Sequence, residues 1–333
     1  MKRTALLCLL LITCLTGCSA AQVKVDPSYF TAAYASIGSA AGSFVLPEAA
    51  DVIFDSQKFL YQDICFASEN VIPEGSYDFS AVSAACFDID DAGIIYAKDI
   101  FKKVYPASVT KLLTALIAIR HTDPDELVRI SEDNCGITTP GAKLCGFKKG
   151  DTVTMRDLLY CLLIYSGNDA AIAIAEYVSG SVDEFCKLMN KEAAVIGATG
   201  THFTNPHGLQ DVNHYTTAYD IYLIFNECLK YPILNDIFSC KQYTAVINRA
   251  NGEQFSYELE PTSYYAQGLT EAPAGMTVIG GKTGETVAAK NCLVILSVRD
   301  DGHRFITELF KATDRNTVYK EMNMLLEMCV EAQ

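Results

Sequence analysis

The sequence predicts an α/β fold: an antiparallel sheet built from both ends of the chain, flanked by helices, with a mostly helical insertion between its halves. Three observations predict it. Alternating, β-rich runs occur near both ends, at 80–98 and at 276–310. Apolar residues at helical spacing fill most of the stretch between 107 and 229. A last amphipathic run, 316–329, closes the chain as a helix.

Taken in order, residues 80–90 and 93–98 read as two strands joined by a turn at Asp90-Asp91-Ala92-Gly93. Pro106 stands just before a helix over 107–120, whose apolar positions Leu112, Leu113, Leu116, Ile117 and Ile119 leave it buried on most sides. Residues 123–150 are rich in loop formers. Two helices, 155–165 and 169–178, are broken by Ser166-Gly167-Asn168. A helix over 182–196 stops at Gly197, and another covers 216–229. Two β-rich runs, 276–279 and 291–298, flank Gly280-Gly281-Lys282-Thr283-Gly284, and 304–310 reads as the last strand. No internal repeat is visible.

Composition narrows the function. The chain has 333 residues, 50% of them apolar, which is enough for a substantial core. With 26 basic and 40 acidic residues the net charge is −14. Such a chain lacks the basic face that nucleic-acid binding requires, so no nucleic-acid partner is expected. The beginning reads as an export signal: Lys2 and Arg3, then an apolar run over 5–17 that is too short to span a bilayer, then Cys18. Leu15-Thr16-Gly17-Cys18 resembles the bacterial lipobox. That resemblance implies cleavage before Cys18, a diacylglycerol on its sulfur, and a protein held on the outer side of a bacterial membrane. The cleaved chain keeps 24 basic residues against 40 acidic ones. Its charge therefore opposes adsorption to an anionic leaflet, and the lipid must supply the anchoring. The expected organisation is a signal peptide at 1–17, a lipidated Cys and tether at 18–50, and one catalytic domain at 51–333.

Of the thirteen Cys, ten lie beyond Cys18. Cys161, Cys186, Cys228, Cys292 and Cys329 sit in apolar or helical patterns and read as small core residues. Cys135 and Cys145, ten apart across a loop with Gly and Pro, are candidates for a disulfide, and the pairing stays open.

Three short segments offer chemistry. Ser108-Val109-Thr110-Lys111 places a hydroxyl and an amine three apart at a helix start, on one face. A Ser is a weak nucleophile until a base takes its proton, and a Lys serves as that base once desolvation and positive neighbours lower its pKa. Ser166-Gly167-Asn168 offers a hydroxyl and an amide on a tight connection, or simply a helix cap. Lys282-Thr283-Gly284 offers a cation and a hydroxyl to a carboxylate, and its Gly lets a substrate backbone approach. Each alone is weak. Together, in this order and separated by about 58 and 114 residues, they are the trio of penicillin-binding proteins and serine β-lactamases.

The wider segments sharpen this. Tyr105-Pro106-Ala107-Ser108-Val109-Thr110-Lys111-Leu112-Leu113-Thr114-Ala115, Arg156-Asp157-Leu158-Leu159-Tyr160 with Ser166-Gly167-Asn168-Asp169-Ala170-Ala171, Thr201-His202-Phe203-Thr204-Asn205-Pro206-His207-Gly208-Leu209, and His214-Tyr215-Thr216-Thr217-Ala218-Tyr219-Asp220 resemble the low-molecular-mass serine D-alanyl-D-alanine carboxypeptidases, peptidase family S11. The resemblance runs from about residue 80 to 330. It implies the β-lactamase/transpeptidase-like fold and removal of the terminal D-alanine from peptidoglycan pentapeptide stems, with β-lactams as covalent inhibitors. Ser108 would be the acylated nucleophile, Lys111 its general base and Ser166 the proton donor to the leaving D-alanine. Asn168 would hold the substrate amide, and Lys282 and Thr283, with Gly284 beside them, the terminal carboxylate. The N–H groups of Ser108 and Glu285 would form the oxyanion hole. Arg315 would add positive potential.

Three departures from the family stand out. Glu285 sets a negative charge beside the carboxylate site. Residues 246–276 match poorly. The chain ends soon after the catalytic domain, so lipid on Cys18 would replace the family's usual C-terminal anchor. No cofactor or metal is expected, although His207, Asp211 and His214 are spaced as zinc ligands could be. A β-lactamase-like hydrolase, a D,D-endopeptidase and a non-catalytic wall-binding lipoprotein are the competing functions. The absence of a Glu-x-x-Leu-Asn segment between Ser166 and Lys282 predicts slow hydrolysis of penicillin.

Overall fold

The structure, a computed structural model, describes residues 64–332. The segments expected over 1–50, with Cys18, lie outside the described residues. β1 (Ser83–Asp88) and β2 (Gly93–Lys98) form the expected hairpin. A 3₁₀ turn (Ala107–Thr110) runs directly into α1 (Lys111–His121). β3 (Leu127–Arg129) and β4 (Thr152–Thr154) bracket a long loop. α2 (Met155–Tyr160) continues as a π turn (Cys161–Tyr165), and α3 (Asn168–Ser179) begins two residues after it ends. α4 (Val182–Ile196), α5 (Ala218–Cys228) and α6 (Pro232–Ser239) follow. Then come β5 (Tyr243–Asn248), β6 (Gln254–Leu259) and the short α7 (Tyr264–Gln267). β7 (Met276–Thr286), β8 (Lys290–Arg299) and β9 (Arg304–Ala312) form a meander, and α8 (Arg315–Glu331) closes the chain.

The main sheet is antiparallel, in the order β2-β1-β9-β8-β7. Its centre joins the two ends of the domain, with Ser83 opposite Phe310 and Asp88 opposite Phe305. The expected α/β class and two-ended sheet are therefore present. The insertion departs from expectation. It carries a second antiparallel sheet, β3-β4-β5-β6, beside its helices. β7 also differs: the first expected run, 276–279, continues through the Gly-Gly-Lys-Thr-Gly segment to Thr286, while the second is the separate strand β8.

The sheet is buried on both faces. Phe305, Leu309, Leu293 and Ile295 pack under Val318, Met322, Leu325 and Leu326 of α8. Ile306, Phe310, Val294 and Leu296 pack toward α1, α3 and α5. Each such side chain contributes about 1.5–3 kcal/mol by leaving water. Helix starts are fixed by side-chain caps: Thr154 accepts from Asp157 N, Ser181 from Glu184 N, Thr217 from Asp220 N, and Asp314 from Asn316 N and Thr317 N.

Two cysteine expectations change. Cys329, read as a small core residue, forms a disulfide with Cys86, linking α8 to β1. Cys135 and Cys145 are buried free thiols. The neighbouring Cys161 thiol, then burial, raises the pKa of Cys145 well above the ordinary thiol value.

Candidate active site

The 3₁₀ turn that carries Ser108 lies against edge strand β7, and both neighbours must be small for it to do so. A Cβ on Gly284 would sit 2.8 Å from Pro106 O and 3.3 Å from Ser108 N. A Cβ on Gly208, whose φ is +87°, would sit 1.8 Å from Ala107 O. Ala107 itself has φ 47°, an uncommon conformation for a residue with a side chain.

Lys111 opens α1 and is fully buried. Its Nζ donates to Ser108 Oγ at 2.9 Å, Asn168 Oδ1 at 2.8 Å and the His207 carbonyl at 2.6 Å. Burial first, then the charge of Lys282, hold its pKa well below the ordinary lysine value. In its neutral form the amine keeps two N–H donors for Asn168 Oδ1 and the His207 carbonyl and turns its lone pair to Ser108 Oγ, ready to accept the hydroxyl proton.

Ser166 ends the π turn with φ 71°, and Gly167 N closes onto Cys161 O at 2.9 Å. The widened turn aims the Ser166 hydroxyl at Lys282, whose Nζ donates to it at 3.0 Å and to the Thr283 carbonyl at 2.9 Å. Lys282 is also buried, and burial together with the Lys143 ammonium brings its pKa down to about 7. Thr283 Oγ1 donates to Thr262 Oγ1 at 2.7 Å. The three sequence segments thus form one network: Ser108, Lys111 and Asn168 on one side, Ser166, Lys282 and Thr283 on the other.

Glu285 and Arg315 meet each other. Arg315 donates to Glu285 Oε2 at 2.7 Å, and both side chains are about half exposed. The negative charge expected beside the carboxylate site and the positive potential expected from Arg315 therefore offset one another.

His207 and His214 support the turn that carries Ser108. His207 Nδ1 accepts from Leu209 N at 3.0 Å, while its carbonyl holds Lys111. His214 Nδ1 accepts from Thr204 N, which places its proton on Nε2, 2.8 Å from Thr110 Oγ1. Thr110 Oγ1 in turn donates to Ala107 O. Burial pushes His207 down to about 3 and His214 to about 4, so both rings stay neutral. The Asp211 carboxylate caps Asn213 N in its own exposed loop.

Three residues of the site carried no role in the sequence reading. Asp169 is a buried carboxylate that accepts from Cys145 N, Gly146 N and Ala170 N, each at 3.0 Å, and so ties a loop to the start of α3. An Asp in the first turn of a helix is a readable signal for such a role. Lys143 belongs to that loop: its carbonyl accepts from Asn168 N at 2.9 Å, and its Nζ stands 4.7 Å from the centre of the Tyr165 ring. Thr262, which holds Thr283, lies in the poorly matching stretch, where nothing marked it.

Residues 69–314 match the peptidase S11 family, described as D-alanyl-D-alanine carboxypeptidase. The chain belongs to this family. It is 31% identical over 251 residues to the D-alanyl-D-alanine carboxypeptidase DacF of Bacillus subtilis, covering 73% of this chain and 61% of that one. It is 32% identical over 246 residues to a D-alanyl-D-alanine carboxypeptidase of Mycobacterium tuberculosis, covering 72% and 79%. The chain spans 61–63% of the length of the first curated relatives it matches. Among solved structures, a D-alanyl-D-alanine carboxypeptidase from Mycobacterium tuberculosis superposes with TM-score 0.68 at 27% identity, over 79% of this chain and 97% of that one. A Streptomyces DD-transpeptidase shares the fold, with TM-score 0.71 at 24% identity, over 77% and 99%.

Proposed function

We propose that this S11 chain is a serine D,D-carboxypeptidase that removes the terminal D-alanine from peptidoglycan pentapeptide stems through an acyl-enzyme on Ser108. One observation carries the reading: a fully buried Lys111 amine, its pKa held well below the ordinary value, stands 2.9 Å from Ser108 Oγ. The neutral amine takes the hydroxyl proton as Oγ attacks the carbonyl carbon of the penultimate D-alanine. The N–H groups of Ser108 and Glu285 receive the developing oxyanion. Ser166, held by Lys282, passes a proton to the departing D-alanine nitrogen. Asn168 orients both Lys111 and the substrate amide, and Lys282 and Thr283 receive the terminal carboxylate. The free edge of β7 gives the stem-peptide backbone a strand to pair with. Water then resolves the ester. β-Lactams acylate the same serine.

Anchoring is a separate part of the proposal. Among the described residues no helix is long and apolar enough to cross a membrane. The lipobox-like segment at Leu15–Cys18 supports a lipid tether on the outer face of the cell membrane. A Cys18→Ala protein should then leave the membrane fraction on detergent-free washing; retention there would place the anchor elsewhere.

The activity is tested by following products from a D-Ala-D-Ala pentapeptide and a cross-linked dimer by mass. Free D-alanine from the pentapeptide, and a long-lived penicillin adduct that Ser108→Ala abolishes, are the expected results. Rapid penicillin turnover would indicate a β-lactamase-like hydrolase, dominant dimer cleavage an endopeptidase, and inertness a wall-binding lipoprotein.

A further inference from the structure

A free C-terminal carboxylate is recognised by a cation that is charged, reachable and not already paired. Three cations of the site influence one another through space: Lys282, Arg315 and Lys143. Arg315 is taken by Glu285. Lys282 is sealed from solvent, donates to Ser166 and Thr283, and is only partly charged at neutral pH with its pKa near 7. Lys143 differs on each count. It is exposed, and it makes no ion pair with a carboxylate of the described residues. Glu260 acts on it through space without an ion-pair contact.

Lys143 is also held in place. Its carbonyl accepts from Asn168 N, its loop is fastened to α3 by Asp169, and its ammonium rests over Tyr165. Its charge lowers the pKa of both Lys282 and Lys111, and Arg315 with partial burial lowers its own. Tyr165 ties this ammonium to Thr283: the carbonyl of its neighbour Ile164 accepts from Thr262 N at 3.2 Å, and Thr262 accepts from Thr283 Oγ1 at 2.7 Å. An anion bound there relieves the mutual repulsion of the cations.

We propose that Lys143 is a specificity-determining residue of this site, whose ammonium joins Thr283 in binding the terminal carboxylate of the stem peptide. The assignment rests on the D,D-carboxypeptidase reading. It makes the loop around Lys143 a reader of the substrate's chain end. Lys282 then keeps its bond to Ser166 while it and Thr283 receive the carboxylate, and the Glu285–Arg315 pair need not open when substrate binds.

The test compares two synthetic pentapeptides ending in D-Ala-D-Ala, one with a free carboxylate and one with a C-terminal amide. Lys143→Met keeps the aliphatic stem over Tyr165 and removes the charge. It should raise KM for the free acid about tenfold or more and leave kcat within about threefold, as expected for one lost charge-assisted contact. The amide's kcat/KM should stay within about twofold, and Lys143→Arg should recover the acid's KM. Equal losses on both peptides would make Lys143 a support for Asn168 and Tyr165 and overturn the assignment. So would an active wild type matched by Lys143→Met. A wild type inert toward both peptides and unlabelled by penicillin would overturn the activity reading, and this inference with it.

Discussion

Lys111 at the head of α1 and Glu308 in the middle of β9 are both fully buried, and burial drives both toward their neutral forms. Their surroundings differ. Lys111 has three hydrogen-bond acceptors, one of them a hydroxyl at the edge of the site. Glu308 faces the interior between Ala85 and Val294, and neither carboxyl oxygen has a hydrogen-bond partner among the described residues. The negative charge of Asp220 raises the pKa of Glu308 further. Desolvation alone therefore does not make a catalytic group. It produces a neutral amine that can act only where partners aim it and substrate can reach it. Deep in the sheet, the same effect yields a protonated acid whose polarity is an uncompensated cost.

The comparison can be broken most directly at Lys111. Lys111→Met should slow acylation of Ser108 by penicillin about 10²–10⁴-fold while the protein still unfolds cooperatively. Near-normal acylation would mean another group takes the proton. Lys282 predicts a smaller effect. Its charge is present below about 7 and lost above, so acylation should fall as pH rises through that value. Lys282→Arg, charged throughout, should flatten that limb. A limb unchanged in the Arg variant would belong to a different group.

Glu308 predicts a gain in stability instead. Glu308→Met should stabilise the fold by about 1–3 kcal/mol at neutral pH, because an unpartnered carboxyl is replaced by an apolar chain of similar size. The folded state holds the Glu308 proton more tightly than the unfolded state does. Wild-type stability should therefore fall as pH rises above the ordinary carboxylate range, and the variant's advantage should grow with it. Urea unfolding at pH 4 and pH 7 measures both; a destabilised variant would reveal a hidden partner. The smallest effect belongs to the rim. Glu285→Gln should change stability by less than about 1 kcal/mol, since the pair is exposed, and should lower KM for a free-acid peptide by releasing Arg315.

Elements with strong local signals were legible in the sequence. The 182–196 helix was found to both ends, because Ser181 caps its start and Gly197 turns left-handed after it. The β1–β2 hairpin was found through its turn residues. The second sheet was not. Two of its strands have three residues each, too few for alternation to register. The β5–β6 hairpin does carry a local signal, Asn251-Gly252 between two alternating runs. β7 runs seven residues beyond its expected end at 279 because glycines lack β propensity, although here they let neighbouring backbones approach. In the site, the three segments could be read because each spans a few adjacent residues. Lys143, Thr262 and the Glu285–Arg315 pair were not, because only tertiary folding brings these groups to their partners.

The pairing of β1 with β9 also sets the order in which this molecule can form. Ser83 finds Phe310 only after the whole insertion has been made, so the sheet's centre is among the last contacts available to a growing chain. Until residue 312 is present, β1 and β2 are a lone hairpin with an open edge, marginal in water. The main sheet therefore closes only when the last strands have been made, which puts its formation at the end of synthesis whatever the insertion has already built.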